Sequence, residues 1–418
     1  MVTPLDTPTM PTTALTTSSP RVPESAFFRT FLLKVAARCN IDCTYCYEYR
    51  LADQSWRTKP ALMSQDVLAR ATDRIVDHVV SHGVPSINIV FHGGEPLLAG
   101  PTFFHDAVVQ LRDRVSAYCP VTFGVQSNGT LLDEAWLDLF RGLDVTIGVS
   151  ADGPRHLNDR HRLGFRGEST YERVERSLRL LSDEKHRGVG SGVLCVIQPD
   201  SSPAELLSWV EQFGPIKVDF LFPHHHHASP PPYPHTDESG YGFGRWLTEV
   251  FDIWWNSDLS HLRIRIFEDI IHLLLGGYYT VESLGVSPAR IVVIQTDGSY
   301  EALDSLKSTF DGAVSLKKNV FEHDLDTVLA EQLILSRIFR AEHLCDTCAA
   351  CDLKNICGGG YVPHRYDAGN GFDMPSVYCQ DLSFLIRHIA EAVGAHTALH
   401  GLPEGLSKVR QASSEPPL

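Results

Sequence analysis

Three closely spaced cysteines, Cys39, Cys43 and Cys46, are the residues of this chain best suited to redox or metal chemistry. They follow a strand-like apolar run over residues 31–37, and Tyr45 directly precedes the last of them. Three thiolates can hold three irons of a [4Fe–4S] cluster and leave the fourth iron open to a small ligand. A site with four protein ligands would be closed. From spacing alone, the alternatives are a structural zinc knuckle and a chance cluster.

A glycine-rich turn after the second strand-like run offers a second place for a ligand. It reads His92-Gly93-Gly94-Glu95-Pro96. Paired glycines let a backbone approach a ligand closely, and a carboxylate beside them can bind an ammonium group. On its own, an ordinary turn between a strand and a helix would explain this segment equally well.

Polar residues also follow the third and fourth strand-like runs. They lie in the segments 126–130 (QSNGT), 150–154 (SADGP) and 158–162 (NDRHR). Their hydroxyl, amide and carboxylate groups suit the sugar and carboxylate groups of a small ligand. The Asn-Gly and Asp-Gly pairs within them are equally typical of turns, and both interpretations can hold together.

The cysteine triplet and the glycine turn together resemble the motifs of the radical S-adenosylmethionine (radical SAM) superfamily. The resemblance implies that the open iron binds SAM and that a 5′-deoxyadenosyl radical is released. It also implies that the turn contacts the amino group of SAM. The implied SAM-contacting residues are Tyr45, Gly93, Gly94, Glu95, Pro96, Ser127, Asn128, Ser150, Asp152, Arg162 and Leu194.

A second cysteine group lies toward the C-terminus. Its members are Cys345, Cys348, Cys351, Cys357 and Cys379. The last four resemble the second auxiliary [4Fe–4S] cluster of SPASM domains, which leaves Cys345 as a spare or alternative ligand. The family pattern has another cysteine where this chain has Tyr361, and its first cluster pair is missing from residues 296–307. We therefore expect one auxiliary cluster, with a zinc ribbon as the alternative.

The residues around the second cysteine group carry a more specific resemblance. The segments 357–360 (CGGG), 363–366 (PHRY) and 375–379 (PSVYC) resemble one sub-branch of radical SAM/SPASM peptide maturases. Those enzymes form three-residue cyclophanes, in which an aromatic ring carbon is joined to a side-chain β-carbon. The resemblance implies a ribosomally made precursor peptide as substrate, and an electron donor such as flavodoxin or ferredoxin.

Other functions remain open at this point. Thioether crosslinking, epimerisation and formylglycine formation are radical modifications of peptides that use the same scaffold. A zinc-stabilised scaffold protein without activity is the alternative outside enzymes. Ring crosslinking would also need a base, for which the candidates are Glu268, Asp304 and His364, with Asp297 as a further one.

The elements that must position these motifs alternate between apolar strands and amphipathic helices. The predicted strands cover residues 30–37, 87–91, 121–125, 145–149, 193–197 and 218–222. Six such repeats predict an α/β fold with a parallel sheet and right-handed crossovers. They are too few to close an eight-fold barrel, so we expect a partial (β/α)6 TIM-like barrel with ligands at its strand ends.

The expected domain organisation follows from this pattern. Residues 1–26 are expected to be disordered, 27–235 to form the radical SAM partial barrel, and 236–340 to form a helical bridge and a small hairpin. Residues 341–390 would form a SPASM-like auxiliary cluster domain, and 391–418 a helix end and tail. With 26 residues ahead of the first strand, leader recognition is expected to use the barrel, the SPASM region or another protein.

Composition excludes several classes of protein. The net charge of −15 argues against nucleic-acid binding, which requires a basic face. No apolar run is long enough to cross a membrane, and the N-terminal segment lacks the apolar core of a signal peptide. Clustered cysteines without a signal are typical of metal ligands in a reducing cytoplasm.

Two conspicuous segments are given structural interpretations. The run from His224 to His227, followed by three prolines, is expected to be a solvated or peptide-contacting loop rather than a metal site. The Trp254-Trp255 pair is expected to pack a helix against the barrel.

Overall fold

The structure is a computed structural model that describes residues 26–214, 216–232, 242–257, 259, 261–277 and 282–400. The predicted disordered segment, apart from its last residue, and the predicted C-terminal tail lie outside these residues. Within them, no helix is both long enough and apolar enough to span a bilayer.

A ten-stranded sheet organises the described part of the chain. Its strands are β1 (Thr30–Ala36), β2 (Ile87–Gly93), β3 (Val121–Ser127), β4 (Val145–Ser150), β5 (Gly190–Val196), β6 (Lys217–Leu221), β7 (Arg263–Ile264), β8 (Ile291–Ile294), β9 (Ser299–Glu301) and β10 (Ser315–Asn319). Strands β1 to β6 lie side by side in chain order and are all parallel, so the six predicted strands are confirmed.

Helices connect the parallel strands and cover the sheet. They are α1 (Gln65–His82), α2 (Pro101–Val115), α3 (Glu134–Gly142), α4 (Arg155–Asn158), α5 (Tyr171–Ser182), α6 (Pro203–Glu211), α7 (Phe243–Asn256), α8 (Arg265–Leu274), α9 (Leu325–Leu329), α10 (Gln332–Ile338), α11 (Asp346–Ala349), α12 (Lys354–Cys357) and α13 (Cys379–His400). The core is formed mainly by apolar side chains of the sheet and of the helices packed on it.

Helix α1 shows how the local sequence defines one of these crossovers. The Ser64 hydroxyl caps it by accepting the Val67 amide at 3.2 Å, and Gly83 ends it in the left-handed conformation at φ 56°. Leu68 and Ile75 on its apolar face are fully buried. Burial of each contributes about 1.5–3 kcal/mol.

The hairpin predicted within residues 290–320 is confirmed, but its position was not predicted. Strands β8 and β9 are antiparallel neighbours, as expected. Strand β8 also pairs in parallel with β1, which extends the barrel sheet at its first edge. As a result, Asp304, three residues after β9, lies beside the loop that follows β1.

The C-terminal region returns to the barrel through helix α13, which packs on α7 and α8. The Trp254 ring lies 5.7 Å from that of Phe267 on α8, and both Trp254 and Trp255 pack against the buried core, which agrees with their predicted structural role. The histidine run is not a solvated loop. The His226 Nε2 donates to the Ser308 carbonyl at 3.2 Å and the His227 Nε2 donates to the Pro375 carbonyl at 2.8 Å, because this segment joins the barrel to the C-terminal region.

Candidate active site

The carboxyl ends of β1 to β6 converge on one cavity of about 390 Å³. Most of the predicted SAM-contacting residues line it, as do all three cysteines of the first group. The predicted residues on its wall are Cys39, Cys43, Cys46, Tyr45, Gly93, Gly94, Asn128, Ser150, Asp152, Arg162, Leu194, Asp304 and His364. A sheet whose six ends meet one cavity must curve around it, as a partial barrel does.

The cysteine loop is fixed to the segment that contains Arg162. The Asp42 amide donates to the Leu163 carbonyl at 2.7 Å, and the Thr44 amide donates to the His161 carbonyl at 3.0 Å. Burial raises the pKa of the Cys39 and Cys46 thiols to about 12. Buried thiols of this kind need a bound cation to become thiolates, which suits a metal site.

The spacing of the thiols distinguishes a cluster from a single zinc ion. Within the described residues, no three cysteine sulfurs lie within 4.8 Å of one another. One tetrahedral zinc with bonds of about 2.3 Å would hold its thiolates closer than that. Irons at separate corners of a cube bind thiolates that are further apart, so the donor set fits a [4Fe–4S] cluster better.

Among the described residues, the group with the spacing of a single-metal site is His78, His82 and Asp326. Its chemistry argues against a metal. The Phe28 amide donates to His78 Nε2 at 2.9 Å, which places the proton of the neutral ring on Nδ1. Nδ1 faces Asp326 at 3.9 Å and, when protonated, has no lone pair for a metal.

The packing of the fold itself requires glycine at positions 93 and 94, whether or not a ligand binds there. A Cβ on Gly93 would lie 2.1 Å from the Ala36 carbonyl oxygen, and one on Gly94 would lie 2.5 Å from that of Arg38. The Gly94 amide donates to the Ala36 carbonyl at 2.8 Å, which ties the turn to the start of the cysteine loop. The glycines therefore let the two motifs pack directly against each other.

Glu95 lies behind the cavity wall rather than on it. Its carboxylate accepts hydrogen bonds from the Ser127 hydroxyl at 2.9 Å and from the Asn128 and Leu97 amides at 2.8 and 3.0 Å. Burial raises its pKa to about 7, against these hydrogen bonds. Glu95, Pro96 and Ser127 are thus placed to support Asn128, which does line the cavity.

Tyr45, Asp152 and Arg162 form a connected group on the wall. The Tyr45 hydroxyl donates to Asp152 at 2.6 Å, and the Arg162 guanidinium donates to the Tyr45 oxygen at 2.9 Å. Burial raises the pKa of Asp152, although Arg162 opposes this shift. The Arg162 Nε is buried and has no hydrogen-bond partner among the described residues. The group therefore offers both charges to a ligand that carries an ammonium and a carboxylate.

A buried ionic network was missed by sequence reasoning. Lys34, in the middle of β1, contacts Asp304 at 2.6 Å and also pairs with Glu48. Lys307 contacts Glu48 at 2.7 Å. Burial alone would raise the pKa of Asp304, but Lys34 outweighs it and holds that pKa below its usual range. A lysine inside an otherwise apolar strand was the available signal.

Of the candidate bases, Asp304 and His364 line the cavity. The Tyr47 hydroxyl donates to the Asp304 carboxylate at 2.8 Å, which holds it toward the cysteine loop. Glu268 instead pairs with Arg263 at 2.8 Å outside the cavity, and Asp297 pairs with Lys59 at 2.8 Å. The geometry therefore favours Asp304, because it lines the cavity and Tyr47 holds its carboxylate beside the cysteine loop.

The second cysteine group also comes together in the structure. Burial and the neighbouring Cys345 raise the pKa of the Cys348 thiol to about 12, and burial with Cys379 raises that of Cys357 to about 11. The Arg365 guanidinium donates to the Gly358 and Gly360 carbonyls, each at 2.6 Å, which holds the glycine turn after Cys357. Cys345 is thus close enough to Cys348 to act as an alternative ligand.

Comparisons with known proteins agree with this geometry. Residues 33–211 match the family model of the Radical SAM superfamily. The cysteine-type anaerobic sulfatase-maturating enzyme of Clostridium perfringens is 27% identical over 84% of this chain and 93% of its own length. The serine-type anaerobic sulfatase-maturating enzyme of Bacteroides thetaiotaomicron is 23% identical over 85% of this chain and 88% of its own.

Solved structures show the same fold. Native anSMEcpe with bound AdoMet has a TM-score of 0.71 at 20% identity, covering 93% of this chain and 100% of that chain. Native anSMEcpe with bound AdoMet and Cp18Cys peptide has a TM-score of 0.69 at 20% identity, covering 92% of this chain and 98% of that chain. The α/β partial barrel and its C-terminal region are therefore one known architecture.

Proposed function

We propose, from the premise that residues 33–211 belong to the radical SAM superfamily, that this enzyme oxidises a peptide side chain at its β-carbon. The supporting observation is that one cavity contains both the cysteine triplet and the buried, ionised Asp304. The peptide substrate is proposed from the relatives, which are enzymes that mature sulfatases, and from the C-terminal signature.

The cofactors of a radical SAM enzyme are SAM and a [4Fe–4S] cluster, and we assign the cluster to Cys39, Cys43 and Cys46. When bound, they supply a 5′-deoxyadenosyl radical that can remove a hydrogen atom from an unactivated carbon. Asn128, Asp152 and Arg162 line the adjoining wall and would orient the amino-acid end of SAM.

Other residues of the cavity would accept a proton from the substrate and exclude water from the reaction. The Asp304 carboxylate would accept the proton that the oxidised substrate must lose, since it is ionised and faces the cavity. Leu194, Val196 and Phe220 make part of the wall apolar, which excludes water from a reactive carbon centre.

An auxiliary [4Fe–4S] cluster is assigned to Cys348, Cys351, Cys357 and Cys379, with Cys345 as alternative ligand. When bound, it would accept the second electron that the substrate loses, the first having left with the abstracted hydrogen atom. An external donor such as flavodoxin or ferredoxin would supply the electron that cleaves SAM. The boundaries of a SPASM-like domain at 341–390 remain part of this proposal.

Two products fit β-carbon oxidation, and each is favoured by a different observation. The CGGG, PHRY and PSVYC segments favour a three-residue cyclophane. The sulfatase-maturating relatives favour formylglycine, although their identities of 23–27% do not carry a specific reaction over to this chain. Both reactions begin with the abstraction of a hydrogen atom from the β-carbon. They differ in whether that carbon then bonds to an aromatic ring or becomes an aldehyde.

The experiment is co-expression with the small peptide encoded beside the gene, followed by high-resolution mass spectrometry, with Cys43→Ala as control. Loss of two hydrogens that disappears in the control is expected for a cyclophane or for an aldehyde made from serine, and an aldehyde made from cysteine would in addition exchange sulfur for oxygen from water. Resistance to hydrazide labelling and an unfragmented three-residue block would identify a cyclophane. Hydrazide labelling would identify an aldehyde. An unchanged mass in every peptide supplied would count against β-carbon oxidation.

A further inference from the structure

A group of buried arginines lies between the cavity wall and the second cysteine group. We propose that two of them, Arg340 and Arg365, raise the reduction potential of the auxiliary cluster. The inference rests on the proposed function, because it takes that cluster as bound by the four cysteines assigned to it above. It adds a reason why such a cluster would accept an electron from the substrate.

The arginine group, made of Arg337, Arg340, Arg365 and Glu282, holds more positive than negative charge. Each of its three arginines is at most 6% exposed. Burial alone would raise the pKa of the Glu282 carboxyl, but the arginines together lower it, Arg337 most of all. Arg337 occupies both carboxylate oxygens of Glu282, at 2.8 and 2.7 Å. Arg340 and Arg365 are therefore left without a carboxylate of their own within the group.

These two arginines also carry buried N–H groups that donate to nothing in the described part of the chain. They are Nε and Nη2 of Arg340 and Nε of Arg365. Burial lowers the pKa of Arg340 to about 10, against the attraction of Glu282, so its side chain stays charged near pH 7. A buried cation with free donors is unfavourable unless a negative group lies close to it.

The substrate cavity does not supply that negative group. Glu282 and Leu284 line the cavity, whereas none of the three arginines does. A peptide or SAM bound there would therefore meet Glu282 and not the arginines behind it. The remaining neighbour of the arginine group is the second cysteine group.

Arg365 is fixed to the turn that follows Cys357. Its Nη2 donates to the Gly358 and Gly360 carbonyls, each at 2.6 Å. The Gly360 amide in turn donates to the Cys357 carbonyl at 3.0 Å. Burial lowers the pKa of Arg365, and the Cys348 thiol, when ionised, is the foremost of the groups that oppose this. The guanidinium is thus held where ionised cysteines stabilise its charge.

Arg340 approaches the same turn from the other side. Its Nη1 donates to the Leu284 carbonyl at 3.3 Å. The next residue, Gly285, donates from its amide to the carbonyl of Ile356 at 2.8 Å, and Ile356 directly precedes Cys357. The two arginines therefore contact the backbone on both sides of one cysteine.

A four-cysteine cluster has the charge that this arrangement lacks. Four thiolates around an oxidised [4Fe–4S] core carry two negative charges in excess, and reduction adds a third. Nearby cations stabilise the more negative state, and hydrogen bonds donated to sulfur act in the same direction. Both effects raise the reduction potential. The electron is the one that the oxidised substrate loses, so no further reductant is involved.

Anaerobic redox titration, followed by electron paramagnetic resonance of the reduced auxiliary cluster, tests the proposal. The parent is the full-length chain with Cys39, Cys43 and Cys46 replaced by alanine, so that the first cluster gives no signal and turnover plays no part. Arg340→Gln should make reduction about tenfold less favourable, which for one electron is a potential about 59 mV more negative. Arg340→Lys should restore most of that difference, because it keeps the charge.

Three further variants separate charge from structural damage. Arg365→Gln should lower the potential as Arg340→Gln does. Glu282→Gln removes a negative charge from the same group and should raise the potential. Arg387→Gln is the matched control, because Arg387 pairs with Asp352 beside Cys351 but is about half exposed, so water screens its charge. Its effect should stay below about twofold.

Iron content and the visible absorption of the cluster identify the variants that retain it. An unchanged potential in both glutamine variants of the arginines, a lowered potential in Glu282→Gln, or an equal shift in Arg387→Gln would overturn the proposal. Loss of the cluster from all variants of Arg340, Arg365 and Glu282 would also overturn it, because the group would then serve folding alone.

Failure of the proposed function would look different. Zinc in place of iron in the parent chain would refute the auxiliary cluster itself. Potentials that shift as expected, beside a wild type that leaves every supplied peptide unchanged, would refute only β-carbon oxidation and leave the role of the arginines in place.

Discussion

The two sides of the cavity are built in different ways. On the motif side, defined by Cys39, Asn128, Asp152 and Arg162, polar groups hold one another through hydrogen bonds between loops that follow neighbouring strands. The aromatic wall, made of Tyr47, Phe222, His224, Tyr361 and His364, is by contrast assembled from three segments that are distant along the chain. The motif side can form with the barrel alone, whereas the aromatic wall requires the C-terminal region to be in place.

This difference separates the roles of the two sides. A cofactor site made by one domain can serve many substrates, because nothing in it depends on the region that meets the substrate. The aromatic wall and Asp304, which follows the hairpin strand β9, form the part of the cavity that lies outside the motif side. The comparison therefore predicts that the two sides can be disabled separately.

The largest expected effect comes from removing one cysteine from each of the two cysteine groups. Cys43→Ala should abolish both 5′-deoxyadenosine formation and peptide oxidation, because the first cluster cannot be held. Cys357→Ala should abolish the oxidised peptide yet leave 5′-deoxyadenosine formation measurable. The amount of 5′-deoxyadenosine would be measured by chromatography and the amount of oxidised peptide by mass spectrometry. If Cys357→Ala lost both to the same extent, the two cysteine groups could not be disabled separately.

Asp304→Asn should lower product formation by roughly 10²–10⁴-fold, the usual cost of losing a positioned base. Hydrogen abstraction should continue, seen as deuterium transfer from a β-deuterated peptide into 5′-deoxyadenosine. Asp297→Asn is the matched control, since Asp297 pairs with Lys59 away from the cavity. Parallel loss of deuterium transfer in Asp304→Asn would show that Asp304 supports the motif side instead.

The sequence could predict the motif side of the cavity better than the aromatic wall, because the motif side is built from local patterns. The strand pattern, the cysteine triplet and the polar turns after β3 and β4 are local, so their spacing was enough to place Asn128 and Asp152 on one cavity. Glu95 was expected to touch the ligand, and spacing could not reveal that its carboxylate is occupied by Ser127 and Asn128. Sequence spacing cannot distinguish a motif residue that lines a cavity from one that only supports the cavity wall.

The contacts that sequence reasoning missed are all long-range. Asp304 was a candidate base, but the parallel pairing of β8 with β1 places it next to Lys34, and no local pattern encodes that pairing. His224 was expected in a solvated or peptide-contacting loop because its neighbours are histidines and prolines. Its burial comes from Tyr361 and His364, which lie far along the chain.

Removal of Lys34 tests whether the two sides share a structural support. Lys34→Met would leave two buried carboxylates, those of Glu48 and Asp304, without their shared cation, so the free energy of unfolding should fall by about 3–5 kcal/mol. Lys59→Met, which breaks a more exposed pair, should cost at most about 1 kcal/mol. Denaturant unfolding of both variants gives the comparison, and equal effects would contradict it.

The smallest expected effect is a pH dependence confined to the aromatic wall. Burial lowers the folded-state pKa of His224 from 6.5 to about 4, despite the nearby Asp304, and His225 lowers it further. The folded wall therefore binds a proton less readily than the unfolded chain, and its stability is fully present above pH 6.5. That stability is lost as the pH falls from 6.5 toward 4, by roughly 1.4 kcal/mol at pH 5.5.

Hydrogen exchange should show segment 361–366 opening more at pH 5.5 than at pH 7.5 while 126–130 changes little, and His224→Gln should reduce the difference. Equal acid sensitivity of both segments would mean that the two sides unfold as one unit.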